Sequence, residues 1–181
     1  MSTIKTILGL VFLCLFLDSV NAADDFVIKD FQVNSEMRPG GGFTVEERIA
    51  VYFNEKRRGL IRTIPYVYKV EGQRYQIRIK DLKSESHKDK VTREGGEYKL
   101  RMGRADKYVT GLQTYLITYY VSNALMDRSE DEVEFFWNLT GNDWDVTIEK
   151  ASYKIQFPSQ VNITEDNLRL YSGPYLSLIH I

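Results

Sequence analysis

From Phe26 onward, apolar residues recur at every second position far more often than at intervals of three and four, the pattern of strands that bury one face and wet the other. Such stretches run from Phe26 to Asn34, Phe43 to Phe53, Leu60 to Tyr68, Arg74 to Lys80, Glu97 to Met102, Leu112 to Ser122, Glu132 to Leu139 and Val146 to Phe157. Turn formers separate them: Arg38-Pro-Gly-Gly-Gly42, Glu71-Gly72, Glu94-Gly-Gly96, and the polar runs Met126 to Asp131 and Thr140 to Asp145. The spacing predicts an all-β domain without helix, an antiparallel β-sandwich of about eight strands with immunoglobulin-like or related Greek-key connections.

Two strands show the buried face most clearly. Tyr115, Ile117, Tyr119 and Val121 alternate with Thr114, Thr118 and Ser122, and Val133, Phe135, Trp137 and Leu139 alternate with Glu132, Glu134 and Asn138. The apolar members of both sets are expected in the core. In the last strand Val146 and Ile148 are even-numbered, whereas Ala151, Tyr153, Ile155 and Phe157 are odd; the phase change requires an extra residue, placing a β-bulge near Glu149 to Ala151. The polar segment Lys83 to Glu94 is expected as an exposed loop or a short edge strand.

One position breaks the pattern. Phe43, Val45, Ile49, Val51 and Phe53 share an apolar face, and Glu47 falls among them. A buried carboxylate without a partner costs several kcal/mol, so a cation should meet it. Arg62, in the following strand between Ile61 and Ile64, is the nearest candidate. A Glu47–Arg62 ion pair across adjacent strands is the expectation; the alternative is a local bulge that turns Glu47 to solvent.

The amino terminus reads as a secretory signal: Lys5, then the apolar run Ile7 to Leu17, then Val20-Asn21-Ala22 as a small-residue cleavage site. Residues 1–22 are therefore expected to be removed before Ala23, an uncleaved signal anchor being the alternative. Cys14, the chain's single cysteine, lies in the apolar run, and Leu13 before it does not fit a lipid-attachment site. The exported part is left without disulfide or thiolate metal site. The chain has 181 residues, 43% apolar and 27% charged, enough for one packed domain. Its formal net charge of -1 implies no nucleic-acid partner.

Residues that carry chemistry are sparse. The two histidines, His87 in a charged loop and His180 near the end, assemble neither a zinc motif nor a serine-histidine-aspartate order. The glycine runs do not open a helix and are not phosphate loops. Acidic residues at Asp127, Glu130 to Glu132 and Glu134, and again at Asp143 and Asp145, supply oxygen ligands but lack calcium-loop spacing. Paired carboxylates of a glycosidase need a geometry that any acidic sandwich imitates. Trp144 lies in a turn, either as a surface for a ligand beside Asp143 and Asp145 or as a cap over one end of the core. Lys56-Arg57-Arg58 is a basic turn, read as a solvated loop or a contact for anionic lipid or a partner. Asn138-Leu-Thr140 and Asn162-Ile-Thr164 match the glycosylation sequon. No catalytic, cofactor or metal residue emerges, and no cofactor is expected.

Three ordered segments carry a family resemblance: Gly59-Leu-Ile-Arg-Thr-Ile-Pro65, then Val109-Thr-Gly-Leu-Gln-Thr-Tyr115 continuing through Ile117, Tyr119 and Val121, then Glu134-Phe-Phe-Trp-Asn-Leu-Thr-Gly-Asn-Asp-Trp144 with Val146 and Ile148. Together they resemble the extracytoplasmic amino-terminal domain of bacterial predicted membrane proteins known as domain of unknown function 2207. The resemblance implies an exported β domain over residues 23–175 followed by transmembrane helix and a cytoplasmic tail, and it supplies no catalytic residues. Glu47 and Arg62 fall at positions typical of that pattern. The end, Leu176-Ser-Leu-Ile-His-Ile181, resembles a translated adapter tail, so residues 176–181 are read as a truncation or artefact. The expected function is a non-catalytic, membrane-tethered binding or scaffolding domain, anchored through a carboxy-terminal helix missing from this fragment, with an envelope protein or glycan as partner. A carbohydrate-binding or adhesion module and a small envelope hydrolase are the alternatives.

Overall fold

The computed structural model describes residues 24–70, 72–127, 133–135, 137–141, 143–159, 161, 170–172 and 177–179. The predicted signal, most of the acidic run from residue 128 to 132, Asn162 and His180 lie outside the described residues.

Among the described residues the regular elements are all strands, without helix. A five-stranded sheet is ordered β12-β1-β2-β9-β6, built from β1 (Phe26–Met37), β2 (Phe43–Arg57), β6 (Arg78–Ser84), β9 (Val109–Ser122) and β12 (Ala151–Gln156). A three-stranded sheet is ordered β3-β8-β7, from β3 (Leu60–Pro65), β7 (Asp89–Glu94) and β8 (Glu97–Met102). Three hairpins complete the described chain: β4 (Val67–Val70) with β5 (Gln73–Gln76), β10 (Leu125–Asp127) with β11 (Val133–Phe135), and β13 (Leu170–Ser172) with β14 (Ser177–Ile179).

The two larger sheets share one hydrophobic core. Val45, Ile49, Val51 and Phe53 of β2 and Tyr115, Ile117, Tyr119 and Val121 of β9 supply one side, and Leu60, Ile64, Leu100 and Met102 of the smaller sheet the other. Alternation along β2 and β9 thus has the cause inferred from sequence: a pleated strand presents every second side chain to the same face. β2 and β9 pair antiparallel over nearly their whole length, Phe43 opposite Val121 and Phe53 opposite Gly111.

Several expectations are corrected. There are more strands than the pattern predicts, in part because Tyr66 and Ile77 interrupt the stretches Leu60 to Tyr68 and Arg74 to Lys80, while β1, β2 and β9 run longer than expected. The predicted Glu132 to Leu139 strand shrinks to β11, and Phe135, Trp137 and Leu139 pack against the core only partly buried; the side chain of Val133 lies outside the described residues. The last strand runs parallel to β1, not antiparallel, with Phe31 opposite Ala151 and Ile28 bridged to Ile148. Its phase change is an interruption at Glu149 and Lys150, and the register shift lies on β1 between Ile28 and Asp30. Within Lys83 to Glu94, β7 is a regular edge strand paired with β8.

Candidate functional site

Glu47 and Arg62 are both 1% exposed and form a two-pronged ion pair. Arg62 Nε donates to Glu47 Oε2 at 2.8 Å and Nη2 donates to Oε1 at 2.8 Å. The expectation of adjacent strands is corrected: β2 and β3 belong to different sheets, so the pair spans the sandwich from sheet to sheet. Alternation explains it, since Arg62 follows Leu60 and precedes Ile64 on the inward face of β3.

Every remaining guanidinium hydrogen has an acceptor. Nη1 donates to the carbonyls of Thr63 and Thr140, each at 2.8 Å, and Nη2 also donates to the Leu139 carbonyl at 3.3 Å. A guanidinium carries five N–H donors, and all five are used. The Glu47 carboxylate accepts a third bond, at Oε1 from the Tyr119 hydroxyl at 2.7 Å. The Arg62 guanidinium also lies over Phe31, 5.3 Å from the ring centroid, and over Trp144, at 5.8 Å.

Residues 137–141 and 143–144 wrap this cation. Trp144 Nε1 donates to the same Thr140 carbonyl at 2.8 Å, its ring meets Phe31 edge-on, and Asn138 Oδ1 accepts from the Gly141 amide at 2.9 Å. Gly141 has φ of 81°, and a Cβ there would stand 2.5 Å from Arg62 Nη1, so glycine is required for both reasons.

The electrostatics follow from burial. Desolvation works to lower the Arg62 pKa, but the Glu47 carboxylate and its hydrogen bonds prevail and raise it. Burial, then the Glu47 charge, pushes the Tyr119 hydroxyl well above the ordinary phenol range, which keeps it a donor. Burial likewise raises Tyr68, against the opposing pull of Arg62. A carboxylate whose oxygens are occupied and a cation that cannot release a proton offer no general acid or base; the network is chemically an anchor.

An open groove lies elsewhere, on the outer face of the five-stranded sheet. It has a volume of about 500 Å³ and is lined by Arg38, Glu46, Lys80, Asp81, Lys83 and Tyr120, with Thr44 and Thr118 also in its wall. A bulge shapes it: Lys80 pairs with Tyr120 and Lys83 with Thr118, so Asp81 and Leu82 stand opposite the single Tyr119. Asp81 sits at φ 55°, a conformation that Asp tolerates better than most residues. Lys83 is paired with Glu85, and Arg38 lies over the Tyr120 ring.

The other sequence candidates are dispersed. Trp144 is half-buried and packs against the core. Asp143 and Asp145 are exposed, and Asp143 hydrogen-bonds to Glu97, whose carboxyl is raised first by partial burial and then by the Asp143 charge. Among the described residues no group of three or more His, Cys, Asp or Glu side chains is placed to hold a metal ion. His87 stacks on Tyr115 with ring centroids 4.4 Å apart. Sequence reasoning missed Tyr119 as a partner, although it sits on the same face as Glu47 and one pair along, with Ile117 directly opposite Glu47. It missed the groove altogether, since polar residues on a solvent face carry no periodic signal.

A family model described as the N-terminal domain of a predicted membrane protein (DUF2207) matches residues 27–176. No curated protein sequence matches the chain. Among solved structures, an M1 zinc metallopeptidase from Deinococcus radiodurans overlaps 55% of this chain and 21% of its own, at 8% identity and a TM-score of 0.36. A mutant of that enzyme bound to a Tyr-Ser-Ala substrate overlaps 57% of this chain and 22% of its own, at the same identity and score.

Proposed function

The chain belongs to the DUF2207 family of predicted membrane proteins, as their amino-terminal domain, and from that premise we propose that it is a non-catalytic binding or scaffolding domain held at the extracytoplasmic face of a membrane. The secretory pattern of residues 1–22 supports the extracytoplasmic side. The observation that carries the reading is the closed Glu47–Arg62–Tyr119 network: the charge buried in this sandwich is spent on joining sheets and loop. The accessible groove has both charge signs and hydroxyls in its wall, without histidine or cysteine, which suits recognition of a polar partner better than covalent chemistry. A glycan is the second reading, favoured by Tyr120 and the Thr44 and Thr118 side chains in that wall.

The test is retention of the exported protein on isolated envelope fractions, peptidoglycan and cell-wall polysaccharide, beside Thr118→Trp, which fills the groove. Thr118→Val is the control for losing the Thr118–Glu85 hydrogen bond. Wild type and the valine variant should be retained with the fraction chemically unchanged, and the tryptophan variant should be released at unaltered thermal stability. Soluble cleavage products, or undiminished retention of the tryptophan variant, would overturn the reading.

A further inference from the structure

We propose that one end of the sandwich, where the β2–β3 turn meets the outer face of the smaller sheet, docks on the anionic headgroup surface of a lipid bilayer. This is a second surface, distinct from the groove and independent of what the groove binds.

Backbone contacts gather the cations there. Gly59 and Gly103 pack so closely that a Cβ on either would strike the other segment's backbone, and both have positive φ. This joins Arg58 to the end of β8, while the Gly103 amide donates to the Lys88 carbonyl at 2.8 Å. Within the sheet Ile61, Arg101 and Lys90 form one outward row across β3, β8 and β7. Among the described residues Lys56, Arg58, Lys88, Lys90, Arg101 and Lys107 have no ion-pair partner. Arg57 and Arg104 are held by Asp25 and Asp106, and Lys88 stands within the field of Asp106.

Lys90 faces Arg101 directly across the strands, an arrangement that costs stability in the free domain. The opposite end of the same face carries the acids, Glu94 across from Glu97 and Glu97 meeting Asp143, with Lys99 lying between the two ends. The chain is nearly neutral as a whole, with net charge -1, yet this face is polarised along its strands, and such a field orients a molecule on a charged surface.

Two apolar side chains stand among the cations. Tyr108 is 53% exposed with the Arg58 guanidinium 4.8 Å above its ring, and Ile61 is 56% exposed beside Arg101. An aromatic with a polar tip beside basic residues suits the headgroup region of a bilayer, whereas a soluble polyanion would use the charges alone. The family's membrane proteins bring such a surface within reach of this domain.

The test is co-sedimentation of the full chain with phosphatidylcholine vesicles with and without phosphatidylglycerol, at low and high salt. The apolar amino-terminal run would bind both lipids whatever the salt, so the readout is the ratio of anionic to neutral partition. Each exposed cation removed should lower that ratio about fivefold, the equivalent of about 1 kcal/mol per basic residue near the surface. The triple variant Arg58→Gln, Lys90→Gln, Arg101→Gln should lose about a hundredfold on that scale, with its unfolding midpoint not lowered, since the Lys90–Arg101 repulsion is relieved. Glu94→Gln with Glu97→Gln should not reduce the ratio, and Tyr108→Ser should reduce it. A ratio untouched by the triple variant or by salt overturns the proposal. So does equal binding to dextran sulfate beads that Tyr108→Ser leaves unaffected, which would assign the end to a soluble polyanion.

Discussion

Arg62 has five donors and five acceptors, and that complete match explains how a guanidinium can sit 1% exposed in a domain of this size. Burying a charge is tolerated only when it is paired and its other hydrogens are bonded. His87 illustrates the opposite case. It stacks on buried Tyr115, whose hydroxyl pKa burial pushes up to about 12, and its own pKa is lowered by burial. A base with a depressed folded pKa binds its proton more weakly in the native than in the unfolded chain. Its contribution to stability is therefore present above the unfolded value, about 6.5, and is lost as pH falls through and below it. Thermal melts from neutral to mildly acidic pH should show a decline that His87→Gln shallows; an identical pH profile in the variant would refute the assignment. Glu47 and Arg62 were legible as residues because a charge on an apolar face of period two is conspicuous. Their geometry was not, because periodicity assigns a face to each strand and says nothing about which sheet lies opposite.

At the scale of elements, the segment over residues 137–141 is where sequence and structure diverge most. Its apolar alternation reads as a strand, yet Trp137 and Leu139 alternate because they pack a wrapping segment against the core, while the Leu139 and Thr140 carbonyls turn toward Arg62. Gly141 is the hinge of that turn. Gly141→Ala should destabilise the domain by about 1–3 kcal/mol through its strained backbone and the approach to Arg62, read as a lower urea midpoint. No change in midpoint would show that the loop does not depend on this contact. By contrast the central parts of β2 and β9, Phe43 to Phe53 and Leu112 to Ser122, were legible from their alternation, while the ends of the 15- and 14-residue strands beyond them were not. β10 was missed because it falls in a polar run that reads as a turn, and β7 was left open as loop or strand because four of its six side chains carry charge and five are exposed. The parallel pairing of β12 has no sequence signal at all: alternation is the same whichever way a neighbour runs.

For the whole molecule, two sheets whose strands interleave along the chain are joined by apolar packing and by one buried charge network that also holds a loop. If that network is a structural anchor, the sheets and loop should unfold as one cooperative unit, and removing either charge should leave the other buried and uncompensated. If instead Glu47 serves a ligand, its replacement should be tolerated by the fold. The decisive measurement is a double-mutant cycle of Glu47→Gln and Arg62→Met, with unfolding followed both by far-ultraviolet circular dichroism and by tryptophan fluorescence. Each single variant should lose about 3–5 kcal/mol, the two probes should report the same transition in the wild type, and the coupling should be about 0.5–3 kcal/mol. Losses that add to within about 0.3–0.5 kcal/mol would contradict it and return Glu47 to the pool of residues available for binding.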